Sequence, residues 1–227
     1  MNHRAVPARI GMLGVDLNTP LTARDATALA AHGYSFVLRY VPRLVQHPND
    51  LTGAEFDTIR AAGLGLMIVQ HVESEGAWTP TRAKGAAYGA CAAKRSIALG
   101  VAPQTVVWLD LEGVAPDVPH GEVITYCNTW HDAVVSAGFT PGLYVGWHCG
   151  LTANELYHAL WFRHYWASYN LNADEYPAIR GVQMRQRAPT HDDYPAGFPA
   201  AFDVNLVTGD QLGGLPVMDV PNVYLPG

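Results

Sequence analysis

An α/β fold, an irregular TIM-type barrel of five βα units followed by three strands with little helix, is what this 227-residue sequence predicts. Three observations predict it. A short apolar run followed by a helix-like segment recurs five times. Three further apolar runs then follow, separated by Pro177, Pro189, Pro195 and Pro199. Eight strands in about 200 residues suit closure into one barrel, and no GxGxxG follows the first of them to support an open doubly wound sheet.

The elements run in order as follows. Residues 12–17 (MLGVDL) read as a strand and 22–32 as a helix stopped by Gly33. Residues 35–41 (SFVLRYV) form a second strand. Thr52 with Glu55 three residues on has capping-box spacing, and Gly63 ends that helix. Residues 64–72 are a third strand, and the alanine-rich 81–99 a helix ended by Gly100. Residues 105–112 (TVVWLDLE) are a fourth strand, followed by a helix over 121–137. Residues 142–146 are a fifth strand, followed by a helix over 152–161. Segments 164–169, 181–186 and 202–207 complete the eight strands. Residues 1–10 read as an extension, 11–207 as the barrel, and 208–227, with its Gly209, Gly213, Gly214, Pro216, Pro221 and Pro226, as a tail outside the core.

Composition bounds the function. The chain is 49% hydrophobic and 15% charged, enough apolar surface for one domain. A net charge of −6 disfavours nucleic acid as a partner. No run approaches the roughly 20 apolar residues of a membrane span, and a monomer is expected. The first ten residues contain no apolar signal core, so passage out of a cell would need a lysis or specialised export route. The only lysines, Lys84 and Lys94, lie on the third expected helix, away from strand ends where a Schiff-base lysine would sit. Cys91, Cys127 and Cys149 read as buried thiols, since three cysteines without a CxxC make neither a disulfide framework nor a zinc site.

Side chains alternate across a strand, so parity sorts residues between the helix layer and the barrel interior. On the fourth expected strand Val107, Leu109 and Leu111 suit the helix layer, which turns Trp108, Asp110 and Glu112 inward. The same alternation turns Gly14 and Asp16 inward on the first strand, Asp203 and Asn205 inward on the last, and Tyr144 inward on the fifth. Four inward carboxylates thus gather at the mouth where barrel enzymes hold their sites. First and last strands are neighbours in a closed barrel, so Asp16 and Asp203 should be close, and crowding should raise at least one carboxyl pKa. The plainer alternative pairs these acids with Arg39, Arg185 or backbone amides; it suits one inward acid better than four at one rim.

The segments GVDLN (14–18), WLDLEG (108–113), GLYVG (142–146), YWASYN (165–170), VQ (182–183) and FDVNL (202–206) appear in this order over residues 11–207. Together they resemble the family-25 glycoside hydrolases, the lysozyme-like muramidases. They are closer still to a group of bacterial glycoside-hydrolase-like domains of poorly defined activity. The resemblance implies the same five-plus-three barrel and a catalytic groove lined by Asp16, Asp110, Glu112 and Asp203. It makes Glu112 the proton donor and gives Asp110 a positioning or charge-stabilising role. Asp16 and Asp203 would tune Glu112 or bind sugar hydroxyls, and Tyr144, Trp166 and Gln183 would line the groove. The implied substrate is a bacterial cell-wall glycan, cleaved by two carboxylates or with help from the substrate's acetamido group. The implied alternative is an inactive carbohydrate-binding barrel. In-facing residues two apart on a strand lie about 6.5–7 Å apart, which straddles the carboxyl separations for retention and inversion and leaves both open.

The sequence departs from the muramidases at the third strand, where Gln70, His71, Glu73 and Trp78 replace a Tyr-His-Phe-like ending. Glu73 reads better as a solvated loop charge than as an extra site acid, and Arg39 better as an inward structural partner of a core carboxylate than as a ligand. His191, Asp192 and Asp193 read as a solvated turn. No HExxH or GxSxG occurs, so no metal, cofactor or nucleophilic serine is expected, although four acids at one rim could also hold a hard cation. Trp147 and Trp166 are placed near the rim, where indoles stack on sugars; Trp161 reads as core.

Overall fold

The computed structural model describes residues 3–73, 76–171, 174–177, 180–212 and 214–222. Ten strands and five α-helices alternate in the order β1 (His3–Pro7), β2 (Leu13–Leu17), α1 (Ala23–His32), β3 (Phe36–Val41), α2 (Gly53–Ala61), β4 (Gly65–Gln70), α3 (Arg82–Leu99), β5 (Val106–Leu111), α4 (His120–Ser136), β6 (Thr140–Val145), α5 (Ala153–His158), β7 (His164–Ala167), β8 (Met184–Arg187), β9 (Asp203–Val207) and β10 (Val217–Pro221). Thr22, Thr52, Thr81 and Thr152 cap α1, α2, α3 and α5 by accepting the N3 amide, which satisfies a donor the first helical turn cannot.

Strands β2 to β9 close an eight-stranded barrel: β2 to β8 pair in parallel, and β9 returns between β8 and β2 antiparallel to both. Five βα units followed by three strands is the expected architecture. The reversal of β9 is new. The 188–202 connection carries one 3₁₀ turn, His191–Asp193, instead of a crossover helix, and a parallel neighbour needs a crossover. Asp203 is therefore the first residue of its strand, and the reversal brings that end to the mouth where the parallel strands finish.

Two apolar layers follow the alternation. Val15, Val37, Val107, Leu109, Leu111 and Leu143 pack outward under the helices. Phe36, Leu38, Met67, Trp108, Trp166 and Met184 fill the interior. Gly142 is small for a steric reason: a Cβ there would overlap the Trp108 indole.

The two ends of the chain correct the sequence reading. Within 1–10, His3–Pro7 forms β1, and within 208–227, Val217–Pro221 forms β10; they pair antiparallel along their length. β10 also bonds to β4 at Leu66, and Met218 and Val220 are buried among the interior side chains. The glycines and prolines suggested a solvated tail, but the alternation of Val217, Met218, Asp219 and Val220 between them is a strand, and it plugs the bottom of the barrel. Gly213 and Pro226 lie outside the described residues. Buried Asp219 fastens the plug, accepting the Ala102 amide at 2.7 Å and pairing with His3 at 2.8 Å. Of the cysteines, Cys127 and Cys149 are buried and Cys91 is half-buried. Among the described residues no helix is long and apolar enough to cross a membrane.

Candidate active site

Asp16, Asp110, Glu112 and Asp203 all stand at the C-terminal mouth of the parallel strands. Asp16 lies opposite Asp203 in the β2–β9 register, and Asp110 is beside Tyr144 in the β5–β6 register. Asp16 and Asp110 are each 5% exposed. Asp203 is half-buried at the rim.

Asp16 is tightly held. Its Oδ2 accepts from Asn205 Nδ2 at 2.7 Å and Gln186 Nε2 at 3.1 Å, and its Oδ1 from the Tyr40 hydroxyl at 3.4 Å. Burial raises its pKa to about 7 against those three hydrogen bonds, with a smaller push from the Asp203 charge. Burial raises Asp203 as well. Tyr144 donates to Gln186 Oε1 at 2.9 Å, so Tyr144, Gln186, Asp16, Asn205 and Tyr40 form one connected network across the mouth. Burial and the neighbouring carboxylates hold the Tyr40 and Tyr144 phenols protonated, as donors.

Glu112 is positioned from below and from both sides. Gly146 follows β6, and a Cβ there would occupy the space of the Glu112 carboxylate and crowd the Tyr144 ring. The carboxyl group therefore lies over bare backbone. Its own backbone is pinned: the Trp78 indole donates to the Glu112 carbonyl at 2.6 Å, and the Gly113 amide donates to the Trp147 carbonyl at 2.8 Å. Trp78, one of the departures at the third strand, thus supports the loop that carries Glu112.

Two expected groove residues lie elsewhere. Gln183 is fully buried at the opposite end of the barrel, bonded to the Arg163 carbonyl, the Tyr165 amide and Asp210. It has the opposite parity to Met184's inward face; the inward glutamine of that strand is Gln186. Trp166 does face inward but is 1% exposed, beneath Tyr144 (ring centroids 4.4 Å apart) and beside Trp108 (5.8 Å). It forms the floor of the site and offers no face to a ligand. Trp147 is exposed at the rim, and Trp161 is exposed on the opposite side from the core role expected of it.

Arg39 also corrects the reading. Phe36, Leu38 and Tyr40 take the inward face of β3, and Arg39 is buried in the helix layer, where it binds Glu55 at 2.6 Å and the Leu17 and Asn49 carbonyls. Arg185 lies exposed over the Tyr176 ring. The four rim acids therefore do not use these arginines as partners. Glu73 is neither solvated nor in the cluster: Lys84 binds it at 2.8 Å and the Tyr88 hydroxyl at 2.9 Å. His191 and Asp192 are solvated as expected. Tyr40 and Gln186 are the site residues that the sequence reading misses, because an inward Arg39 turns Tyr40 outward and Gln183 stands in for Gln186; Asn205 is inward as expected. Among the described residues no group of three His, Cys, Asp or Glu side chains could hold a metal ion.

Such a mouth, with clustered acids in a closed barrel of this strand order, defines a glycoside-hydrolase-like barrel. The chain belongs to the Rv2525c-like, glycoside hydrolase-like domain family, whose profile matches residues 27–196. Three solved structures share the fold. An uncharacterized B. stearothermophilus protein is 18% identical, with 87% of this chain and 96% of that chain covered and a TM-score of 0.62. The Tat-secreted protein Rv2525c of Mycobacterium tuberculosis is 14% identical, with 90% and 98% covered and a TM-score of 0.61. A bacterial lysozyme from Streptomyces coelicolor is 13% identical, with 90% and 95% covered and a TM-score of 0.60. No curated protein matches the chain by sequence.

Proposed function

We propose that the protein is a glycoside hydrolase acting on a bacterial cell-wall, peptidoglycan-like glycan. The observation that carries the reading is the convergence of Asp16, Asp110, Glu112 and Asp203 on one mouth, with Glu112 seated over Gly146. Glycosidic cleavage needs one carboxyl group to protonate the leaving oxygen and a second group to stabilise or attack the oxocarbenium-like centre. Glu112 serves as the acid, since it lies at the strand end rather than sealed beneath it. Its proton passes to the glycosidic oxygen as the C–O bond breaks. Asp110, or the substrate's own acetamido oxygen held by Asp110, meets the developing positive charge, and water completes the hydrolysis. Asp16 and Asp203 act on the site through charge and hydrogen bonds.

The lysozyme from Streptomyces coelicolor and the catalytic domain of an endolysin from a Listeria monocytogenes bacteriophage share this fold, which supports the choice of glycan. A binding-only barrel is the competing reading. The deep burial of Asp16 and Asp110 favours it, because a sealed carboxylate is poorly placed to touch a sugar.

Digestion of purified peptidoglycan with mass spectrometry of the products separates the two. On the hydrolase reading the wild type releases reducing ends, and Glu112→Gln lowers release by about 10²-fold or more while glycan binding persists. Binding without release by the wild type supports the binding barrel, and neither binding nor release defeats both.

A further inference from the structure

Beside the acidic mouth lies a cavity of about 620 Å³ with the opposite character. It is formed by the loops after β2, β3 and β4 and lined by Asn18, Arg43, His47, Asn49, His71 and Tyr88 among others; among the described residues no acid lines it. Among the described residues two acids border it and both are occupied. Asp50 is buried behind the wall, where it pairs with His71 Nε2 at 3.0 Å and accepts the His47 amide. Glu73 is taken by Lys84 and by the Tyr88 hydroxyl. Arg43 donates through Nη1 to the Val72 carbonyl, and among the described residues its remaining N–H groups have no protein partner. Arg43, His47 and His71 all line it, and burial lowers the His71 pKa, so that Arg43 carries the charge of the cavity. Arg43 is thus a guanidinium facing a cavity in a chain of net charge −6.

The cavity shares a wall with the carboxylate cluster. The His71 ring stacks on Tyr40, with centroids 4.6 Å apart and planes at 22°, and the Tyr40 hydroxyl reaches Asp16. Asn18 follows the end of β2, two residues beyond Asp16. A ligand long enough to span both would place neutral sugar over the acids and an anionic group beside Arg43. A guanidinium with unused donors on a rigid fork matches a carboxylate, which it binds in bidentate fashion.

We infer that this cavity is an anion subsite, in which Arg43, with His47, binds a carboxylate carried by the glycan. The inference takes from the proposed function only that the ligand is a glycan. A carboxylate could come from a peptide attached to the sugar chain or from a uronic acid ring.

The test measures binding calorimetrically on the Glu112→Gln protein in about 50 mM salt. Four probes are used: N-acetylglucosamine tetramer, a muropeptide with free peptide carboxylates, the same muropeptide amidated, and a tetrasaccharide alternating N-acetylglucosamine with glucuronic acid. At least one carboxylated probe is expected to bind about tenfold more tightly than its neutral counterpart, with the advantage shrinking at 500 mM salt. Preference for the muropeptide alone assigns the peptide as the source, and preference for the uronate alone assigns the ring. Arg43→Gln should erase the advantage and leave the neutral tetramer within twofold, whereas Arg43→Lys should retain part of it. Equal binding of charged and neutral probes overturns the subsite, as does an equal loss for both in Arg43→Gln. If Arg43→Gln fails to fold, the exposed His47→Gln and the amidation comparison in the parent protein decide the matter. Wild-type hydrolysis is followed in parallel: absence of turnover defeats the hydrolase reading without touching the binding preference, and absence of any binding overturns both.

Discussion

Asp16 and Asp203 face each other across the seam where the barrel's one reversed strand meets its first. Both acids are raised by burial, Asp16 to about 7. An acid whose pKa is higher in the folded than in the unfolded chain binds more protons when folded, so its contribution to stability is present at low pH and is lost as pH rises towards the folded value. Wild-type stability should therefore fall between about pH 4 and pH 7 through Asp16. Asp16→Asn should flatten that decline and be more stable than wild type at pH 7, on the order of 1–3 kcal/mol. Urea unfolding of both proteins at pH 4.5, 6 and 7.5 reads this directly; parallel curves would remove Asp16 as the source.

Gly146 tests the seat of Glu112. Gly146→Ala places a methyl where the carboxylate lies, at a position whose amide is bonded to the Leu111 carbonyl and stays so. The methyl also meets Glu112 Cβ at 2.5 Å, so stability should fall by about 1–3 kcal/mol, while glycan hydrolysis drops about 10–100-fold because the acid is displaced. Loss of fold without a separate loss of rate in the surviving protein would show that Gly146 serves packing only.

The tryptophans divide by exposure. Trp166→Ala removes a fully buried ring from beneath Tyr144 and should cost about 3–5 kcal/mol, lowering Tm markedly. Trp147→Ala removes a rim ring and should leave Tm within a few degrees while weakening glycan binding several-fold. Thermal melts and a binding titration of the two variants check the division. An unchanged Tm in Trp166→Ala contradicts its place in the floor.

The plug at the barrel bottom carries its own prediction. Met218 is completely buried in the interior cluster, so Met218→Ala should destabilise by about 2–5 kcal/mol, as core deletions do. A solvated tail would tolerate the change, and denaturant midpoints distinguish the two.

Much of this was legible in the sequence for a simple reason. The outward residues of β2, β5 and β6 are uninterrupted aliphatics, so the alternation fixes Asp16, Asp110 and Tyr144 as inward without further information. Alternation failed where the pattern was ambiguous. In β8 three of the four residues of MRQR are polar, and two glutamines three apart, Gln183 and Gln186, offered two registers with opposite faces. In β3 a buried arginine sits among apolar neighbours, and only its pairing with Glu55 on α2, sixteen residues away, explains why the helix layer accepts it. The direction of β9 is a tertiary fact that local residues do not encode. Burial of Trp166 depends likewise on Tyr144 lying above it.

The pairing of His3 with Pro221 brings both strands at the chain's ends together on the closed side of the cylinder, away from the acids. A linker or solid support attached at either end would leave from that sealed pole. The protein tethered in this way would present its open pole outward, free to meet an insoluble polymer face on.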